Sequence, residues 1–159
     1  MQAVSLRPLI LKQGLNLLID LHDLKIPSCL GAVGLKTDTI KKFPKTVEAV
    51  TRALVKANAY FGAGPADDTK QIFAKYMRLP VDNENLLMGW SFFSKDGHSR
   101  TPRMTAVAAR TVMDMMAEHD ASWKTVNPEE YIDISFMGGL EASGYLDKVY
   151  ADIEGKSGK

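Results

Sequence analysis

The sequence predicts a helix-rich α/β fold, with about three short strands followed by five or six helices. Two compact apolar runs, LNLLID at 15–20 and CLGAVGL at 29–35, have the length and composition of buried strands. Pro27 lies between them and excludes one continuous helix. A shorter apolar run at 2–6 is the third expected strand. After residue 36 the spacing of apolar residues is helical almost to the end of the chain.

Each expected helix follows a recognisable start signal. Ser, Thr, Asp and Asn cap the first turn with a side-chain oxygen. Proline suits the first helical position, because a backbone N–H at that position would have no acceptor within the helix. The expected starts are Thr37 or Asp38, Pro44, Pro65, Asp82, Thr101 with Pro102, and Asn127 with Pro128.

Apolar residues three or four positions apart predict which face of each helix is buried. The expected inward residues are Val47, Val50, Leu54, Ala57 and Phe61 in the helix from Pro44, Ile72, Phe73, Tyr76 and Met77 in the next, Leu86, Leu87, Trp90 and Phe93 in the third, and Val107, Val112, Met115 and Met116 in the fourth.

The composition is that of one ordinary globular domain, expected over residues 1–153 with a polar, disordered tail at 154–159. Twenty basic residues against nineteen acidic ones leave a net charge of +1, which gives no electrostatic reason to expect nucleic acid as a partner. The single cysteine excludes an intrachain disulfide. No run is long enough to predict a membrane-spanning helix, and the first ten residues carry no export signal.

Few residues suggest chemistry. His22 lies between Asp20 and Asp23, and a turn at the end of a strand is the favoured interpretation, with ligand contact as the alternative. The spacing fits no zinc site, so no metal and no cofactor are expected. Cys29 has no neighbouring base and is interpreted as a buried hydrophobe. His98 and His119 have no companion for a catalytic triad, so the chain is not expected to be an enzyme.

The order of these segments resembles a known family. AVSLRP, GLNLLIDLHDLKIP, CLGAVGLKTDTIKKFPKTVEAVTRALVKAN, PADDTKQIFAKYMRLPVDNE and NPEEYIDISFMGGLEASGYLDKVY match successive segments in the C-terminal half of the solute-binding proteins of ABC transporters of the nitrate/sulfonate/taurine type. The match covers residues 2–150. Members of that family are roughly twice as long, have a type II bilobal periplasmic-binding fold and bind a small molecule without chemistry.

The resemblance implies a partial type II periplasmic-binding fold, with cleft and hinge strands in 1–28 and a return strand and helices in 29–153. It places Arg7, Asp20, His22 and Asp23 nearest the expected ligand cleft. Arg7 stands where the family commonly has an acid before the proline, and an arginine there suits an anionic ligand through bidentate hydrogen bonds.

The resemblance leads to two alternative predictions of the partners of the chain. As part of a solute-binding protein, the chain implies an ABC permease as partner and a periplasmic location, or a cytoplasmic one if Met1 is the true start. The alternative is a stand-alone half-fold that acts as a helical interaction protein. Exposed strand edges would then favour a homodimer, in a swapped or intertwined form among others.

Overall fold

The computed structural model describes residues 10–16, 18–19, 23–27 and 31–157. A helical turn includes residues 10–12. The α-helices with defined bounds are α1 Thr37–Lys42, α2 Pro44–Ala63, α3 Ala66–Met77, α4 Glu84–Ser91, α5 Ala106–Ala117, α6 Ser135–Ala142 and α7 Tyr145–Ser157. A π-helical turn, Phe92–Asp96, follows α4 directly, and 3₁₀ turns at Ala121–Thr125 and Pro128–Tyr131 lie between α5 and α6.

The predicted α/β fold is wrong, because none of the described residues forms a strand. Residues 15–16, 18–19 and 31–35, which belong to two expected strands, have no regular secondary structure, and the run at 2–6 lies outside the described residues. A strand is stable only when its backbone pairs and its apolar face is covered. Leu18 is 97% exposed and Val33 62% exposed, so neither segment is covered. The chain therefore does not have the partial type II periplasmic-binding fold.

An α-helix follows five of the six starts that the sequence predicts after residue 36, with two of these starts displaced, and only a 3₁₀ turn follows the sixth. Neither Thr37 nor Asp38 caps α1, because its cap position is Lys36. Helix α4 begins after Asn83, not Asp82, and the Asn83 side chain accepts from the backbone N–H of Asn85 and Leu86 at 3.0 and 3.1 Å. Helix α5 begins four residues after Pro102, where Thr105 Oγ1 accepts from Ala108 N–H at 3.1 Å. Asn127 is a cap as predicted, although of a short 3₁₀ turn.

The described chain divides into two compact units. The first unit contains residues 10–16, 18–19, 53–101 and 144–157. The second contains residues 23–27, 31–52 and 102–143. Helix α2 therefore contributes its C-terminal half to the first unit and its N-terminal half to the second.

The core of the first unit lies where α2 packs against α7. Ala59, Val149 and Tyr150 are buried there, and Ala63, Tyr145 and Ile153 pack around them. A second contact joins α3 to α4. There Trp90 Nε1 donates to the buried hydroxyl of Thr69 at 3.1 Å, and the Phe73 ring lies between those of Phe61 and Phe93.

The second unit is built around α5. This helix packs against the 3₁₀ turns that follow it, and Arg110 donates to the Val126 carbonyl oxygen. Its buried residues are the small ones, Ala108, Ala109 and Ala117. Leu140 of α6 is the large buried side chain of this unit.

Several residues expected in the core are instead exposed. Helix α2 buries Val55 and Ala59, while Val50, Leu54 and Ala57 of the predicted stripe are exposed. The same holds for Ile72, Tyr76 and Met77 in α3, for Phe93 after α4, and for Val107, Met115 and Met116 in α5. The buried faces are rich in alanine, which allows neighbouring backbones to approach closely, and this leaves larger side chains on the opposite face.

The C-terminal helix is longer than expected. The sequence predicts a disordered tail from residue 154, whereas α7 continues to Ser157. Arg100 contributes to this stretch, because its guanidinium donates to Glu154 Oε1 at 3.2 Å.

Candidate functional site

The ligand site that the sequence predicts stays a prediction, because three of its four residues lie outside the described residues. Arg7, Asp20 and His22 lie outside the described residues, as does Cys29. Asp23 is described, and it is an exposed residue in a turn. Asp23 lines neither of the two cavities described below.

The larger of these cavities is an open cleft of about 350 Å³ in the second unit. Its walls are the N-terminal half of α2 and one face of α6. The cleft is lined by Glu48, Arg52, Ser135, Phe136, Gly139, Leu140 and Ser143. Its lining thus combines apolar residues with charged and hydroxyl-bearing ones, as that of small-molecule sites commonly does.

An ion pair forms the α2 wall of the cleft. Glu48 and Arg52 are four residues apart, so they lie on the same face of the helix. Both Nε and Nη2 of Arg52 donate to Glu48 Oε1, at 3.0 and 2.7 Å. Both side chains remain partly exposed, at 40% for Arg52 and 46% for Glu48. The pair is therefore within reach of a molecule in the cleft.

Two serine hydroxyl groups line the α6 side of the cleft, and each already donates its proton to a protein oxygen. Ser135 Oγ donates to Asp133 Oδ1 at 2.6 Å, and Ser143 Oγ donates to the Leu140 carbonyl oxygen at 2.9 Å. A hydroxyl has one proton and two lone pairs. Both serines therefore offer acceptors, and no further donor, to a bound molecule.

Gly139 leaves room in the cleft. A Cβ built at this position would meet nothing within 4 Å. The same is true of the preceding Gly138, which does not line the cleft. The pair therefore provides one position inside the cleft and one immediately outside it on the same helix.

A second cavity, of about 240 Å³, lies in the first unit at the start of α4. Lys12, Asn83, Glu84 and Asn85 line it, and Lys12 Nζ donates to Glu84 Oε2 at 2.5 Å. All four side chains are polar, and the two charges already pair with each other. Among its lining residues, none has an apolar side chain.

The most connected polar cluster of the first unit joins α2, the segment 97–101 and α7. We call Asn58, His98 and Tyr150 the polar latch. The Asn58 amide donates to the Ser99 carbonyl oxygen at 2.9 Å and to the Tyr150 hydroxyl at 3.3 Å. His98 Nε2 lies 3.1 Å from the same hydroxyl. The Tyr150 hydroxyl can accept from Asn58 and still either donate to His98 Nε2 or accept from it, according to the tautomer of His98.

Arg100 lies over this latch. Its guanidinium carbon is 4.0 Å from the centroid of the Tyr150 ring, and its nitrogens pair with Glu154 at 3.2 Å and Asp147 at 3.9 Å. Burial, and then the charge of Arg100, lower the pKa of His98 below its ordinary 6.5. Burial raises the pKa of Tyr150. Both directions favour the neutral forms of these two side chains.

The described residues contain no group of three or more His, Cys, Asp or Glu side chains placed to hold a metal ion. Among the described helices, none is both long and apolar enough to cross a membrane. Comparison of the chain with protein-family models, with curated proteins and with solved structures found no match.

Sequence reasoning missed the cleft, although two of its signals are local. The Glu48–Arg52 spacing is visible in the sequence, as is the Gly138–Gly139 pair. No local pattern specifies that residues of α2 and of α6 line the same cleft.

Proposed function

We propose that the chain binds a small molecule, without chemistry, in the cleft between α2 and α6. The observation that supports this is the cleft itself. Its volume of about 350 Å³ lies at the lower end of the range typical of ligand pockets, roughly 300–1,000 Å³. Phe136 and Leu140 supply apolar surface, while Arg52, Glu48 and two serines supply groups that orient a ligand.

The delivery of that molecule to an ABC importer stays a prediction. It rests on the resemblance of residues 2–150 to the solute-binding proteins of the nitrate/sulfonate/taurine type. The α/β fold that the resemblance implied is absent from the described residues, so the cleft supports small-molecule binding independently of that fold.

Filling the cleft tests the proposal. Replacing Gly139 with leucine places a side chain in the cleft, and the open space around this position predicts that the helix tolerates it. We expect the variant to fold and to lose ligand-induced stabilisation, which a ligand that binds only the native state otherwise provides. The measurement is the melting temperature against a library of small metabolites.

Gly138→Leu is the matched control, because Gly138 also has open space but does not line the cleft. This variant should keep the response of the wild type. If wild type shows no stabilisation by any compound, or if Gly139→Leu responds equally, the cleft is not the binding site.

The second candidate function is that of a dimeric helical interaction protein. The observation that favours it is the number of large apolar side chains left exposed. They include Leu15, Leu18, Ile19, Leu54, Ile72, Tyr76 and Met77 in the first unit, and Val33, Leu35, Val50, Val107 and Met115 in the second. Burying this apolar surface against another copy of the chain would lower the free energy.

Sedimentation velocity from about 1 to 100 μM distinguishes the two candidates. A dimer that dissociates on dilution, together with no response to small molecules, favours the interaction protein. Replacing Tyr76, which is 78% exposed, with aspartate should shift that equilibrium toward monomer if α3 contributes to the interface. A monomer throughout this range, for wild type, excludes the dimeric role.

A further inference from the structure

The hydrogen-bonding groups of the cleft select between kinds of ligand. Both serine hydroxyls have given their protons to protein acceptors, Ser135 to Asp133 and Ser143 to the Leu140 carbonyl oxygen. The cleft therefore presents the lone pairs of two hydroxyls and of the Glu48 carboxylate. The one lining side chain with donors is Arg52, and two of its N–H groups are bonded to Glu48. A molecule with several N–H groups satisfies more of this lining than an anion does.

The charges around the cleft point in the same direction. Arg52 and Glu48 compensate each other, whereas Asp133, behind Ser135, adds a negative charge. The Asp133 carboxylate accepts from both the hydroxyl and the N–H of Ser135, at 2.6 and 2.9 Å, and these bonds lower its pKa. Asp133 therefore already occupies the N-terminus of α6, where an anion would otherwise be attracted.

The apolar residues that line the cleft indicate the chemistry of the rest of the ligand. Phe136 and Leu140 lie on α6 between Ser135 and Ser143 in sequence, and Gly139 carries no side chain to fill the space beside them. An aliphatic or aromatic body of modest size fits against these residues. The aromatic ring of Phe136 is also a favourable neighbour for a cation.

We infer that the cleft takes a small organic amine, with its ammonium group toward Glu48, Ser135 and Ser143 and its apolar body on Phe136 and Leu140. This inference rests on the proposed function, since it names the ligand class of the same cleft. It differs from the anionic ligand that Arg7 suggests in the sequence.

Three probes of matched shape test the class of ligand: phenethylamine, 2-phenylethanol and 3-phenylpropionate. Each is titrated into the ¹⁵N-labelled full chain, and the readout is the shift of the backbone amides of Gly139 and Ser143. We expect phenethylamine to bind more tightly than the other two by about tenfold or more, because hydrogen bonds to charged groups contribute roughly 1.5–3 kcal/mol. The shifts should be absent in Gly139→Leu.

Replacing Glu48 with glutamine isolates the charge. We expect phenethylamine to bind about tenfold more weakly, because the cleft then lacks the carboxylate assigned to the ammonium group, while 3-phenylpropionate loses no affinity. Glu118→Gln, at an exposed acid at the end of α5, is the control and should leave both affinities unchanged. Ser143→Ala provides a second variant, expected to weaken only the amine.

The outcomes distinguish an error in the ligand class from an error in the proposed function. If 2-phenylethanol or 3-phenylpropionate shifts the cleft amides at lower concentration than phenethylamine, the amine class is wrong and the cleft remains a binding site. If Glu48→Gln and Ser143→Ala leave the affinity for phenethylamine unchanged, the assigned contacts are wrong. If no probe shifts these amides, and no library compound stabilises the protein, both the amine and the proposed function fail.

Discussion

At the scale of single residues, the polar latch shows how a few partly buried polar groups constrain one another. Asn58 donates to the Ser99 carbonyl oxygen and to the Tyr150 hydroxyl, and the same hydroxyl is hydrogen-bonded to His98 Nε2. Buried polar groups are costly when unpaired, so the loss of one member affects the others. The latch connects a loop to α2 and α7, and its interpretation is therefore structural.

Stability should fall in acid partly because of His98. Its pKa in the folded chain is below the ordinary 6.5, so the unfolded chain binds the proton first as the pH falls. The contribution of His98 is fully present above pH 6.5, and it is lost as the pH falls from about 6.5 toward the lowered value. We expect His98→Gln to show a shallower loss of melting temperature between pH 7.5 and 5 than wild type.

Other charged groups lie at the latch, because Arg100 acts on His98 and pairs with Glu154 and Asp147. The comparison is therefore between wild type and variant at each pH. His119→Gln, at an exposed position, is the control and should follow wild type. Parallel curves for wild type and His98→Gln would contradict the assigned role.

The His98 ring lies so close to Gly62 that a side chain at position 62 would collide with it. A Cβ at this position would lie 2.3 Å from His98 Cε1 and Nε2, a distance that forces the ring to move. We expect Gly62→Ala to lower the free energy of unfolding by about 1–3 kcal/mol, despite the better helix propensity of alanine. Gly138→Ala, in open space within α6, should instead be neutral or stabilising by up to about 1 kcal/mol. Urea denaturation of both variants measures the difference.

At the scale of elements, the sequence predicts that a helix starts near a given position but not which of two adjacent capping residues is used. Asp82 and Asn83 are adjacent, and both residue types are good caps. Only Asn83 accepts from two N–H groups of α4. The π-helical turn after α4 has no such signal, although Gly97 N–H closes it onto the Phe92 carbonyl oxygen at 2.7 Å. This turn leads directly to His98.

Removing the cap should therefore cost more at Asn83 than at Asp82. We expect Asn83→Ala to lower the free energy of unfolding by about 0.5–2 kcal/mol, the usual loss for a cap of this kind. Asp82→Ala should change it by less than about 0.5 kcal/mol, as for other exposed positions. Equal losses in the two variants would show that the cap had been assigned to the wrong residue.

At the scale of the whole molecule, the chain contains two compact units, and each has its own candidate feature. The polar latch belongs to the first unit and the ligand cleft to the second. Each is assembled from segments far apart in sequence. Ser99 and Tyr150 meet Asn58, and residues 135–143 line the cleft with Glu48 and Arg52.

The sequence by itself determined the helices between residues 37 and 117, because their start signals and spacing act within a few residues. Pro44 begins α2 and Asn127 caps its 3₁₀ turn, as the sequence predicts. The apolar runs at 15–20 and 29–35 have strand composition, but composition supplies no pairing partner. A strand depends on a second strand elsewhere, and the described residues provide none.

Only the tertiary structure decided which helix faces are buried and where the cleft lies. Helix α3 has apolar residues around much of its circumference, so periodicity alone could not choose between the face of Tyr76 and that of Ala74. The choice follows from which neighbouring helix can approach most closely. Glu48 and Gly139 likewise line the same cleft only because the tertiary structure places α6 beside the N-terminal half of α2, which neither segment specifies alone.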